Sequence, residues 1–377
     1  MAALRRGRTH NMPHTIDRVP GAGAPRAAEG TGSITRRALL RAVGGVSAAL
    51  ALPTATISLA QTAAATPVTL SVPGPGNSVS TPLEFAVKLG LDRAEGLALR
   101  LRFVGGGGVA IKELLSGNTD FGVFGLPAAM GTNVGERRLV ALAALDDLPL
   151  YTLMVRADLA GSIKSVADLK GRVIGIHSNS LSTKTTSHLL ADLVLRTHNV
   201  APDSVRYIAA GQSWETQSAA FISKTVDASM CDEPFGTRLA EERLAFQLFS
   251  TGNPADARTT PGAGFLRATL IARADLVSAR AGLAERMVKV VQRALAELAR
   301  RTPEQIADVL ELPAAERKAF VAVFRKYPRQ YSTDGKFSTA QLRDTEAFFR
   351  ASTAGDAAAQ RFAVDSMLVD RWAGRKP

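Results

Sequence analysis

Along residues 66–300 the chain switches repeatedly between two hydrophobic periods. Short apolar runs bounded by Gly, Pro, Asn or Asp predict strands: Val68 to Val72, Leu97 to Phe103, Phe121 to Phe124, Leu139 to Leu145, Leu150 to Val155, Val173 to Ile176, Val205 to Ile208 and Leu266 to Ala272. Between them, apolar positions three and four residues apart predict helices after Thr81, from Gly105 to Leu115, from Ser182 to Leu195, from Ser213 to Ser223 and from Ala281 to Arg301. Thr81-Pro82-Leu83-Glu84 reads as a helix start, with Thr81 as N-cap, Pro at the first helical position and Glu three residues after the cap. Residues 303–377 read as helical throughout, packed on a first lobe. Strands alternating with helices predict an α/β fold with mostly parallel sheets covered by helices on both faces.

One phrase occurs twice. Leu114-Leu115-Ser116-Gly117-Asn118-Thr119-Asp120-Phe121-Gly122 aligns without a gap to Phe221-Ile222-Ser223-Lys224-Thr225-Val226-Asp227-Ala228-Ser229. Each reads as a helix end, a polar turn, an Asp and a strand. A second echo, Arg156-Ala157-Asp158-Leu159 and Arg273-Ala274-Asp275-Leu276, follows two similar strands that serve as passages between lobes. The duplication predicts two similar lobes and a cleft between them, where a small ligand sits. The boundaries read as 66–153 plus 270–377 for lobe 1 and 154–269 for lobe 2. Asp120 and Asp227 invite a catalytic pairing, but an Asp in the turn before a strand satisfies local backbone donors, and the structural reading is preferred.

Charge and composition add a leader and remove some functions. Residues 1–60 hold eight Arg against Asp17 and Glu29, which is half of the formal +12 of the 377-residue chain. The remaining charges are mixed, with no basic run interleaved with aromatics, so nucleic-acid binding is not expected. Arg36-Arg37, the apolar stretch Ala42 to Leu52 and Ser58-Leu59-Ala60 have the form of a twin-arginine export signal cleaved near Ala60. The apolar stretch is shorter than the roughly 20 residues a membrane span needs. Cys231 is the only cysteine, which excludes an intramolecular disulfide, and the histidines lack a tight metal spacing. A soluble periplasmic monomer without metal or cofactor is expected.

Four motifs in order carry a family resemblance: Leu114 to Gly122, Ala167-Asp168-Leu169-Lys170-Gly171-Arg172-Val173-Ile174-Gly175, Val226-Asp227-Ala228, and Glu233-Pro234. Over about residues 66–350 the chain resembles the substrate-binding proteins of ABC importers for nitrate, sulfonates, taurine and related compounds (the SsuA/TauA group), which includes the NMT1/THI5-like thiamine-pyrimidine binders. The tail resembles the family less. The resemblance implies a periplasmic-binding-protein type II fold, two α/β lobes closing over a ligand, and an inner-membrane ABC permease as partner. It implies a receptor for a small organic anion rather than an enzyme. The alternatives are a sensory or adaptor protein that presents ligand, and a thiamine-pyrimidine synthase; the single Cys and the export signal argue against the latter.

Helix N-termini after strands are the economical anion sites, which makes Ser80, Thr81, Gly125, Leu126, Ser182 and Thr183 candidate ligand contacts. His177 follows a strand into a predicted cleft loop and is a further candidate. Gln212 and Trp214 flank another helix start, where Trp214 supplies either an aromatic wall or helix packing. Glu233 either binds an amine or amide of the ligand or braces the hinge. The cleft segments are rich in Gly, Ser, Thr and apolar residues and poor in Arg and Lys. That composition suits a ligand with an apolar body and one polar head.

Overall fold

The computed structural model describes residues 64–177 and 184–377; the export signal and the candidate contacts Ser182 and Thr183 lie outside them. Ten strands form two sheets: β1 (Thr66–Val72), β2 (Leu97–Phe103), β3 (Phe121–Phe124), β4 (Leu139–Ala144), β5 (Tyr151–Arg156), β6 (Val173–Ile176), β7 (Arg206–Ala209), β8 (Ala228–Asp232), β9 (Ala245–Ser250) and β10 (Thr269–Arg273). The strand orders are β2-β1-β3-β10-β4 and β7-β6-β8-β5-β9. In each sheet the fourth strand runs antiparallel to both neighbours. These two strands, β5 and β10, are the ones the chain enters directly from the other sheet, after Ala144 and after Ser250. The fold is the two-lobed α/β fold with mostly parallel sheets and a cleft between the lobes.

Both sequence echoes mark equivalent places in the two sheets. Asp120 N–H donates to Thr69 O, and Thr69 N–H donates back to Asp120 Oδ2, both at 2.9 Å. Asp227 and Val173 make the same reciprocal pair at the same distances. The carboxylate completes the ladder one residue before the strand begins, so neither Asp is positioned for catalysis. The preceding helix ends are closed by left-handed residues, Gly117 (φ 78°) and Lys224 (φ 57°). In the second echo Arg273 donates from Nη1 to Leu114 O and Arg156 from Nη1 to Val226 O, each at 2.9 Å, tying a crossing strand to a copy of the repeated phrase.

Fourteen helices are described: α1 (Thr81–Lys88), α2 (Leu91–Ala94), α3 (Gly107–Leu115), α4 (Leu126–Asn133), α5 (Thr186–Thr197), α6 (Trp214–Ile222), α7 (Phe235–Glu241), α8 (Pro254–Thr259), α9 (Ala274–Ala279), α10 (Ala281–Ala299), α11 (Pro303–Val309), α12 (Ala314–Lys326), α13 (Thr339–Ser352) and α14 (Ala357–Gln360). Leu70, Phe121, Leu142 and Ile271 of the first sheet share a core with Met287 and Val291 of α10. Leu153, Ile174 and Met230 of the second share one with Leu190 and Val194 of α5. No helix among the described residues is long and apolar enough to cross a membrane.

Three local expectations are corrected. Helix α1 has Ser80, not Thr81, as its N-cap residue. Asn77 starts the turn early: its Oδ1 accepts from Val79 N–H, and its carbonyl accepts from the Ser80 and Thr81 N–H groups. The helix predicted from Ser182 begins at Thr186. The C-terminal segment is not all helix and does not serve the first lobe alone. Phe337–Ser338 (β11) pairs with Arg375–Lys376 (β12), and α12 packs on α7. Consecutive residues on a helix point about 100° apart, so α13 sends Phe349 into the first core and Phe348 into the second. Phe348 stacks on Phe265 with ring centroids 4.1 Å apart.

Candidate functional site

In open α/β sheets the carboxyl ends of parallel strands are where chain turns expose side chains to a ligand. Here those ends face each other: Asn77 and Ser78 follow β1, Gly125 follows β3, His177 follows β6, Gln212 follows β7, and Asp232 ends β8. Asp232 is fully buried and collects the others. Its Oδ2 accepts from Asn77 Nδ2 at 2.8 Å and Gln212 Nε2 at 2.9 Å, and lies 3.0 Å from His177 Nε2. Arg267 arrives from the segment before β10, donating from Nη1 to Leu150 O at 3.0 Å and from Nη2 to Ser78 Oγ at 2.7 Å. Its Nη2 stands 3.7 Å from Asp232 Oδ1, and its guanidinium lies 5.1 Å over the Tyr151 ring. Burial alone would raise the Asp232 pKa. His177, Arg267 and the Asn77 hydrogen bond outweigh burial and hold the carboxyl far below its ordinary range. Arg267 is likewise kept charged by Asp232 against its own burial.

Beside this cluster is a small cavity of about 20 Å³, room for about one water. Phe124, Gly125 and Val79 line it from the first lobe, and Tyr151, His177, Thr186 and Gln212 from the second, with Arg267 completing the wall. Besides His177 Nε2, which faces Asp232, three buried polar atoms of the lining residues, Gln212 Oε1, Thr186 Oγ1 and Arg267 Nε, have no hydrogen-bond partner. A second hollow of about 210 Å³ lies across Gln212, walled by Pro75, Phe103 and Val104 on one side and by Gly211, Ser213 and Thr216 on the other. Phe103 is exposed there.

The lobes touch through glycines. A Cβ on Gly125 would lie 2.1 Å from Thr186 Oγ1, and one on Gly74 would lie 2.5 Å from the Gln212 carbonyl oxygen. The backbone link between Ser78 N–H and Glu233 O, 3.1 Å, crosses the same junction.

Of the candidate contacts read from the sequence, Gly125, His177 and Gln212 line this cavity. Ser80 is buried and donates from Oγ to Glu84 Oε1 at 2.6 Å, and Thr81 donates from Oγ1 to Asn77 O. Leu126 is fully buried in the first core. Trp214 is covered by Arg238, whose guanidinium sits 3.8 Å from the ring centroid. Glu233, ahead of a cis bond to Pro234, accepts from Thr237 N–H at 3.0 Å and so holds the start of α7; burial raises its pKa. Cys231 is fully buried, and burial pushes its thiol up, which leaves it a neutral core residue. Sequence reasoning passed over Asn77, Ser78, Tyr151, Thr186, Asp232 and Arg267. A signal existed for Asp232, an acid at the end of an apolar strand directly before Glu233-Pro234. None existed for Arg267, whose partners lie 35 or more positions away.

A family model described as NMT1/THI5 like matches residues 77–306. No curated protein matches the sequence. Among solved structures, one from Bordetella bronchiseptica RB50 superposes with a TM-score of 0.73 at 19% identity, covering 81% of this chain and 95% of its own. The alkanesulfonate-binding protein SsuA from Xanthomonas axonopodis pv. citri, bound to MOPS, gives 0.63 at 17% identity, covering 82% and 98%. The periplasmic nitrate-binding protein NrtA from Synechocystis PCC 6803 gives 0.61 at 12%, covering 81% and 86%.

Proposed function

Because the chain belongs to the NMT1/THI5-like family, we propose that it is a periplasmic solute-binding receptor that closes over one small organic molecule and delivers it to an ABC importer permease. The observation that carries this reading is the convergence of polar side chains from both lobes on Asp232 and Arg267 beside a small cavity lined from both. A group that needs both lobes to complete its hydrogen bonds is made only when the lobes shut, which is how a clamshell couples closure to binding. The unpaired Gln212 Oε1, Thr186 Oγ1 and Arg267 Nε supply contacts for a polar head. The hollow beyond Gln212, with Phe103, supplies a place for an apolar body.

The favoured ligand is a small organic anion, a sulfonate or carboxylate. Asp232 offsets the charge of Arg267, so the head is chosen by hydrogen-bond geometry as much as by net charge. The twin-arginine segment is proposed to export the chain, with cleavage near Ala60, and the receptor is proposed to act as a monomer without catalysis. The proposed lobes are joined by the two segments between β4 and β5 and between β9 and β10.

A thermal-shift screen of sulfonates, aromatic carboxylates, nitrate and pyrimidines tests the reading. A true ligand at a hundredfold excess over Kd stabilises by ~2.7 kcal/mol and compacts the protein in X-ray scattering. If every hit leaves the scattering curve unchanged, the receptor reading fails.

A further inference from the structure

A sizeable hollow lies outside the cleft. It measures about 320 Å³ and lies where the end of α10, the start of α11 and the end of α12 meet the loop at 328–333. That volume is at the lower end of the roughly 300–1,000 Å³ typical of small-molecule sites. Its walls are apolar, with Leu295, Leu298, Ile306 and Phe324. Its charged rim is unbalanced. Asp147 is neutralised by Lys376 at 3.1 Å, and Arg301 is engaged by Glu297. Arg329 has no ion pair among the described residues. An apolar hollow with one uncommitted guanidinium at its edge is complementary to a small molecule with an apolar body and a carboxylate.

The hollow also abuts the first crossing between the lobes. Asp147 N–H and Leu148 N–H both donate to Gln330 O, at 3.0 and 3.2 Å. Tyr331, which lines the hollow, donates from Oη to Ser78 O at 2.7 Å, and Ser78 in turn holds Arg267 of the cleft. We infer that this hollow is a second ligand site, for a small aryl or branched-alkyl carboxylate, whose occupancy stiffens the segment at 145–150 that joins the lobes.

The test uses benzoate and 3-phenylpropionate as probes on the purified full chain, with ligand-observed NMR for binding and hydrogen exchange for residues 145–150. Binding that weakens on the order of tenfold in Arg329→Ala, disappears in the hollow-filling Leu298→Trp, persists in the cleft variant Gln212→Ala, and slows exchange at 145–150 supports the site. Binding that survives Leu298→Trp but is lost in Gln212→Ala places the probes in the cleft and overturns it. Absence of binding at millimolar probe overturns it as well. So does binding with unchanged exchange, which removes the link to the crossing segment. Loss of binding in Leu298→Trp with retention in Gln212→Ala separates this site from the cleft whatever the cleft binds. Circular dichroism and urea unfolding of Leu298→Trp, with Arg329→Ala as the exposed and milder variant, separate loss of the site from loss of the fold.

Discussion

Replacing Gly125 by Ala should act on the closed form of the protein and spare the open one. The backbone of Gly125 has φ −64° and ψ 131°, ordinary extended values that Ala adopts without strain. The added methyl, however, would lie 2.1 Å from Thr186 Oγ1, 2.9 Å from its Cβ and 3.3 Å from its Cγ2. Rotating the Thr186 side chain moves the first and third of these atoms but not Cβ, so the collision outlasts any rotamer change. Ordinary contact begins near 3.4 Å, so the two loops must part by roughly 1 Å at this point. Overpacking of a well-filled contact costs about 1–3 kcal/mol. Gly125 and Thr186 stand on opposite sides of the cleft, so the cost falls on closure and is absent when the lobes are apart. The apparent affinity for the cleft ligand should therefore drop roughly 5- to 150-fold, with little change in the urea midpoint of the ligand-free protein. Calorimetry with the best screening hit measures the loss, and scattering measures the incomplete compaction. In a Thr186→Ala background, which lacks the closest atom, Gly125→Ala should cost less affinity than in the parent, a coupling that a double-mutant cycle reads directly. Affinity and compaction within twofold of the parent would refute the idea that the lobes meet at this glycine.

The junction should also confer a pH dependence. Burial pushes Asp146 up to about 7, with Arg267 and the Ala268 N–H only partly opposing it. An acid raised above its unfolded value near 3.9 stabilises below about pH 4 and loses that contribution as pH rises to about 7. Asp146→Asn should therefore flatten the fall in urea stability between about pH 4.5 and 8, by several kcal/mol at most; a parent-like slope in the variant would rule out Asp146 as its source. For the repeated phrase, Asp120→Ala and Asp227→Ala should each cost about 1–3 kcal/mol of unfolding free energy. The double variant should lose the sum to within about 0.5 kcal/mol, and a large departure from additivity would mean that the two carboxylates do not brace separate sheets.

What the sequence disclosed and what it withheld differ in range. The repeated phrase was legible because its hydrogen bonds join a turn to the neighbouring strand in a fixed local unit, so residues 114–122 and 221–229 carry the whole instruction. Two lobes followed from duplication, and the cleft from where parallel strands end. His177 was singled out because it follows a strand, and Gly125 and Gln212 because they sit at helix starts after strands; all three line the cavity. The helix starts were a poorer guide. Ser80 and Thr81 spend their hydroxyls on their own turn once Asn77 has set it. Leu126 turns into the core and Trp214 under Arg238. The centre of the site could not be read locally, because Asp232 and Arg267 acquire meaning only from each other and from Ser78, 189 positions away from Arg267. A buried carboxylate or guanidinium alone would be costly, and the pair is supported by hydrogen bonds from Asn77 and Gln212 to Asp232 and from Arg267 to Ser78 and Leu150. Those partners come from both sheets, and Arg267 in particular meets them only in the folded chain. Under the proposed closure, the same arrangement would tie the charge pair to the shut form.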